Sequence, residues 1–161
     1  MWKKRNIRFL AEAAIIAAIY AVISTIFAPI SSGLVQVRIS EALTVLPVFT
    51  PAAIPGLFVG CIVANIVGGN GLIDIVFGSL ATLIAAFLSY KMPRRFLVPL
   101  PPVLVNAVVV GFILNYVLEA PLIVSIGSVA LGQAIACYGL GYPLMLQLEK
   151  YKDKIFLTDK Q

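Results

Sequence analysis

Apolar runs at positions 9–30, 42–67, 72–90, 96–118 and 121–148 take up most of the 161 residues, and almost no charge interrupts them. A run of about 20 apolar residues matches the ~30 Å hydrocarbon core of a bilayer, whereas a soluble surface helix keeps one polar face. With 61% hydrophobic residues, 12% charged residues and a mean hydropathy of +1.03, the chain is too apolar for a water-soluble domain of this size. It reads as an all-α integral membrane protein with a single transmembrane domain over 1–161. The first run has no small-residue cleavage site, so it reads as a retained span and not as a signal peptide.

The second run decides the number of helices. It contains Pro47, Pro51 and Pro55, and a proline inside a helix removes a hydrogen bond and collides with the preceding turn. Basic clusters give an independent count, because short cytoplasmic loops are rich in Lys and Arg. Lys3, Lys4, Arg5 and Arg8 precede the first run; Lys91, Arg94 and Arg95 follow the third; Lys150, Lys152, Lys154 and Lys160 close the chain. These clusters share one side only if 42–67 forms two short crossings joined near Thr50 to Pro55. The expectation is therefore a six-transmembrane-helix bundle, with helices at roughly 9–30, 41–52, 54–68, 72–90, 96–118 and 121–148. Both termini are cytoplasmic in this scheme, and Arg38 is the one basic residue outside. The net charge of +5 then reports topology rather than nucleic-acid binding. The two central crossings are too short to stand alone in lipid, so neighbours must shield them or they must line a cavity.

Small residues at four-residue spacing let helices pack closely in lipid. Gly56, Gly60, Ala64 and Gly68 form one such stripe and read as packing within the bundle. Ala13, Ala17, Ala21, Ser24 and Ala28, with Ala14 and Ala18 beside them, form another. That stripe is the better candidate for docking a partner, because a peripheral first helix has a free side.

Polar groups inside a span are functional candidates, since hydrocarbon makes them costly. Glu12 is explained by an i, i+4 pair with Arg8. Glu41, Asp74 and Glu119 instead gather at the non-cytoplasmic helix ends, with Gln36, Arg38, Asn70 and the slightly deeper Asn65. Ser40 is positioned to cap the second helix, Glu41 suits its first turn, and Gly68 to Gly71 form a turn. Plain structural roles stay open for several of these: an Arg38–Glu41 pair, Asp74 as a helix start, Glu119 as a loop residue beside Pro121. Catalysis has little support, because the chain has no histidine, no zinc-protease motif and no phosphate-binding glycine loop. Cys61 and Cys137 read as packing residues, and neither a metal nor a cofactor is called for. Uphill transport would need an ion gradient or separate ATPase subunits.

Two segments carry a family likeness: GLVQVRISEALTVLP, which begins at Gly33, and AAIPGLFVGCIVANIVGGNGLIDIVFGSLATLIAAFLSY, which ends at Tyr90. They resemble the queuosine-precursor transporter family, whose members are substrate-binding S components of energy-coupling factor transporters. The resemblance implies a six-helix S component in a bacterial cell membrane that captures queuine or a related 7-deazaguanine. It also implies partners, a membrane coupling subunit and two cytoplasmic ATPases, with no chemistry on the substrate. Small residues of the first helix would contact the coupling subunit, which maps onto Ala14 and Ala18 with Ala13, Ala17 and Ala21 nearby. Transport would proceed by the whole S component toppling in the membrane.

The residues suit such a ligand. A deazaguanine presents a ring N–H and an amino group side by side, and one carboxylate accepts both. Glu41 or Asp74 would supply that carboxylate. Asn65 or Asn70 would read the ring carbonyl, Arg38 would serve the same acceptor or neutralise the carboxylates, and Phe58, Phe77 or Tyr116 would stack on the ring. Two alternatives stay open: an S component for another vitamin or nucleobase, and a stand-alone channel or proton-coupled carrier.

Overall fold

Proline shapes the middle of the bundle. The computed structural model describes residues 2–31 and 37–155; Gln36 and Lys160 lie outside them. Where one long apolar span would otherwise run, the described chain forms a 3-10 helix, Ile39–Val48, then a turn, then an α-helix, Ala53–Val67. Pro47 sits near the end of the first, Pro51 in the turn, and Pro55 in the opening turn of the second, where an N–H has no helical partner to lose. A 3-10 helix rises about 2.0 Å per residue, so ten residues reach ~20 Å, further than ten α-helical residues would. The expected short α-helical crossing at 41–52 is thus a stretched one.

Six helices result, with no strand among the described residues. The first, Trp2–Ile26, continues past Phe27 for one turn at Ala28–Ser31. The 3-10 helix is second and Ala53–Val67 third. The fourth, Asp74–Tyr90, opens with a π-helical stretch at Asp74–Gly78. The fifth is Leu100–Leu118. The sixth joins Leu122–Ala134, a π-helical Ile135–Gly141 and Tyr142–Ile155. Among the described residues three stretches are long and apolar enough to cross a bilayer, Asn6–Ile26, Arg95–Leu118 and Leu122–Lys152. The outer surface carries Leu10, Ile15 and Val22 on the first helix, Leu104 and Phe112 on the fifth, and Ile123 and Val124 on the sixth. So broad an apolar exterior belongs in lipid and not in water. The protein is an all-α membrane bundle.

The second helix is enclosed by the others. Ser40, Glu41, Ala42, Thr44, Val45, Leu46 and Pro47 are all buried in it. On one side Gly141 of the sixth helix comes so close that a Cβ there would lie 3.0 Å from the Ala42 carbonyl oxygen. On the other, the Thr50 hydroxyl donates to Glu12 Oε2 at 2.8 Å. That bond corrects the Arg8–Glu12 pairing read from the sequence: the proline turn returns to the first helix and gives Glu12 a tertiary partner. At the same end, Arg95 pairs with Glu149 and ties the start of the fifth helix to the sixth.

The third helix lies along the first, and glycine sets the distance between them. A Cβ on Gly56 would sit 2.8 Å from the Ala13 carbonyl oxygen, and one on Gly60 would sit 2.9 Å from both the Ala17 carbonyl oxygen and Tyr20 Cβ. Gly60→Ala is therefore expected to lower the unfolding temperature of the detergent-solubilised chain, at a cost of about 1–3 kcal/mol. Gly127→Ala, where nothing lies within 4 Å, is expected to leave it unchanged or raise it. Equal losses in the two variants would remove close approach as the explanation.

Candidate functional site

The described residues enclose a cavity of about 550 Å³ at the bundle end opposite the basic clusters. Five helices contribute to it. Tyr20, Ser24 and Thr25 come from the first, Ser40 from the second, Cys61, Ala64 and Asn65 from the third, Asp74 from the fourth, and Ile113, Leu114, Val117 and Leu118 from the fifth. Arg38, Gly68 and Asn70 add to the lining from the connections. The small-residue face of the third helix thus serves two purposes: Gly56 and Gly60 pack, while Ala64 and Gly68 leave room.

The turn after the third helix follows from its glycines. Gly69 adopts φ +67°, a left-handed conformation that glycine takes without strain. The Asn70 N–H then reaches the Asn65 carbonyl at 3.0 Å and the Gly69 N–H reaches Ile66 at 3.2 Å, the paired bonds of a Schellman cap. This folds Asn70 back over Asn65, and its Nδ2 donates to Asn65 Oδ1 at 2.9 Å. Asn65 Nδ2 donates in turn to the Asp74 carbonyl at 3.1 Å. Asn65 is buried, and its amide clamps the end of the third helix to the start of the fourth. Asp74 is held through its backbone, so its carboxylate is left over. No described residue donates to that carboxylate or forms an ion pair with it.

Arg38 also lines the cavity, and it forms no ion pair with Glu41. Glu41 is 1% exposed and is not part of the lining. Its Oε1 accepts from the Tyr20 hydroxyl at 2.5 Å and its Oε2 from Asn106 Nδ2 at 3.1 Å. Both of its oxygens thus have protein partners, and the structure places it behind the lining rather than in it. Ser40 does not cap the second helix either; its Oγ accepts from Ser24 at 2.7 Å, joining the second helix to the first. Of the five proposed binding residues, Arg38, Asn65, Asn70 and Asp74 come together at the cavity and Glu41 lies behind it.

The three aromatics proposed for stacking are elsewhere. Phe77 is 55% and Tyr116 76% exposed on the outer surface, and Phe58 is half-buried away from the cavity. Tyr20 is the aromatic in the lining among the described residues. Asn106, from the middle of the fifth helix, was likewise missed. An amide within an apolar run was the available signal for it. Glu119 ends the fifth helix in a left-handed conformation, exposed.

The alanine stripe divides in two. The Ala13 and Ala17 backbone faces the glycines of the third helix, and Ala21 is buried, so these three are spent within the bundle. Ala14 and Ala18 are exposed beside Ile15 and Ile19.

A helical membrane bundle with a ligand-sized cavity at its end, lined by both polar and apolar residues, has the build of a membrane transport protein. The family model "QueT transporter" matches residues 10–150, and the chain belongs to that family. It is a membrane transporter protein rather than an enzyme. No curated protein and no solved structure matches it.

Asn65→Ala is expected to cost about 1–3 kcal/mol, by leaving polar groups of the clamp unpaired, and to speed proteolysis within the turn at 68–71. Unchanged cleavage would mean that the Schellman cap holds the turn without the amide.

Proposed function

We propose that this chain is the substrate-binding S component of an energy-coupling factor importer and takes up a queuosine precursor, queuine or a related 7-deazaguanine. One observation carries the reading: a cavity of ligand size lined by one carboxylate, Asp74, and one guanidinium, Arg38, which form no hydrogen bond or ion pair through their side chains with another described residue. Its volume falls within the roughly 300–1,000 Å³ of small-molecule sites. The Asp74 carboxylate accepts the ring N–H and amino group of the deazaguanine together, as a charge-assisted pair in a dry site. Arg38 donates to the ring carbonyl. Asn70 offers its free carbonyl oxygen, and Asn65 keeps Asp74 in place.

The whole of 1–161 acts as one transmembrane domain that crosses a bacterial cell membrane six times. Both termini are cytoplasmic and the cavity opens outside. Energy comes from two cytoplasmic ATPases through a membrane coupling subunit, which docks on the outward face of the first helix at Ala14 and Ala18. The small side chains there let another helix approach closely.

Asp74→Asn is expected to weaken binding of 7-deazaguanines to the purified chain about tenfold to a hundredfold, the worth of a charge-assisted bond, with little change in unfolding temperature. Calorimetry against queuine, the pre-queuosine bases, guanine and a vitamin panel measures this, and selective binding of a vitamin would replace the substrate assignment. Ala18→Leu is expected to spare binding in detergent and to abolish uptake in cells that hold the partner subunits. Ala17→Leu is expected to destabilise the bundle instead. Uptake that persists without the ATPases would turn the assignment to a stand-alone carrier.

A further inference from the structure

We infer that the cavity takes a 7-deazaguanine that carries a proton-donating arm, a cyclopentenediol on its aminomethyl group, and that Ser24 and Thr25 of the first helix receive that arm while Asp74 holds the base. The inference rests on the cavity being the substrate site, and it selects among the precursors such a site could take.

The polar lining falls at two ends. At one, Asp74 opens the fourth helix. A Cβ on Gly78 would lie 3.9 Å from Asp74 Oδ1 and 3.6 Å from Asn65 Nδ2, so the carboxylate stands beside the Asn65 clamp. At the other end, Ser24 and Thr25 come from the first helix. The first helix packs on the third, and the start of the fourth packs on the third and the fifth, which puts the third helix between the two ends. A cavity of about 550 Å³ also holds more than a two-ring base. A base paired to Asp74 leaves the first-helix end to whatever the base carries.

That end offers lone pairs and no protons. Ser24 Oγ donates to Ser40 Oγ at 2.7 Å, and Thr25 Oγ1 donates to the Ala21 carbonyl at 2.8 Å. A hydroxyl has one proton and two acceptor positions, so once its proton is committed to the protein it can only accept. Ser40 behind them is 2% exposed, whereas Ser24 is half-buried and Thr25 exposed, so these two have surface to offer a ligand. A group docked against them has to bring its own protons. The hydroxyls of a diol and an ammonium group do so. A nitrile, which only accepts, does not. The nitrile, aminomethyl and cyclopentenediol forms of the base therefore rank in rising order of affinity.

The test is calorimetric binding of these three forms to the full chain in detergent, with the unfolding temperature recorded for each variant. The cyclopentenediol form is expected to bind about tenfold or more tightly than the nitrile form. Thr25→Val, which keeps the shape and loses the oxygen, and Ser24→Ala are each expected to weaken the cyclopentenediol form about threefold to tenfold and to leave the nitrile form unchanged. Asp74→Asn is expected to weaken all three, because it acts on the base they share. Equal affinities for the three forms, or tightest binding of the nitrile, would overturn the inference. So would variants of Ser24 and Thr25 that weaken every form alike, since that is the mark of a structural role. Failure of the unaltered chain to bind any of the three would instead remove the substrate reading on which the inference stands.

Discussion

Gly56 and Gly60 bring the third helix against the backbone of the first, and the packing of these two helices is arranged around that contact. Lipid gives helices no hydrophobic reason to associate, so close packing of small residues has to supply much of the attraction. The consequences reach both faces of the first helix. Ala13 and Ala17 are turned inward, which turns Ala14 and Ala18 outward. Tyr20 is held at its Cβ by Gly60. Further along the same stripe, Ala64 and Gly68 line the cavity, so the face that packs at one end of the third helix makes room at the other.

Hydrogen-bond satisfaction then sorts the polar residues. Water does not reach hydrocarbon, and a buried polar group without a partner is costly there. Among the described residues many such groups are paired internally: Glu41 with Tyr20 and Asn106, Asn65 with Asp74 and Asn70, Ser24 with Ser40, Ser89 with the Val98 carbonyl. The charged side chains of Arg38 and Asp74, at the cavity, form no hydrogen bond or ion pair with another described residue. What separates Glu41 from Asp74 is thus the number of donors the fold brings to each carboxylate. Asp74 spends its backbone carbonyl on the clamp and keeps its side chain in reserve, whereas Glu41 sits one layer deeper on an enclosed helix.

The count of helices was legible because two signals are one-dimensional. Proline excludes an uninterrupted helix at 47–55, and basic residues mark loops wherever the loops end up in space. The convergence of Arg38, Asn65, Asn70 and Asp74 followed from the same reasoning, since helix ends on one side of a membrane share a layer. Depth within that layer was not legible. Nothing local distinguishes Glu41 from Asp74, because the donors that occupy Glu41 come from positions 20 and 106, on other helices. The pairing of Glu12 with Thr50 escaped notice for a similar reason: Arg8 is a plausible neighbour along the chain, and the fold supplies a different one. Facing was missed for the aromatics, since Phe77 and Tyr116 lie in apolar runs that look alike on all sides, and only packing turns them outward.

The first helix therefore carries two kinds of information on opposite faces. Its inner face holds side-chain bonds to the proline turn through Glu12, and to the second helix through Tyr20 and Ser24, spaced from one end of the helix toward the other. Its outer face is a smooth strip of alanine and branched aliphatic residues with no polar group at Ala14, Ala18 or Val22. Polar bonds on the inner face fix the rotation of the helix about its own axis, because a turn of even one residue would carry Tyr20 away from Glu41 and Ser24 away from Ser40. The rotation so fixed decides which alanines are presented outward. Residues that shape the cavity thus also set the register of the exposed strip, which is why an alanine-rich sequence with little directional preference of its own displays one defined face.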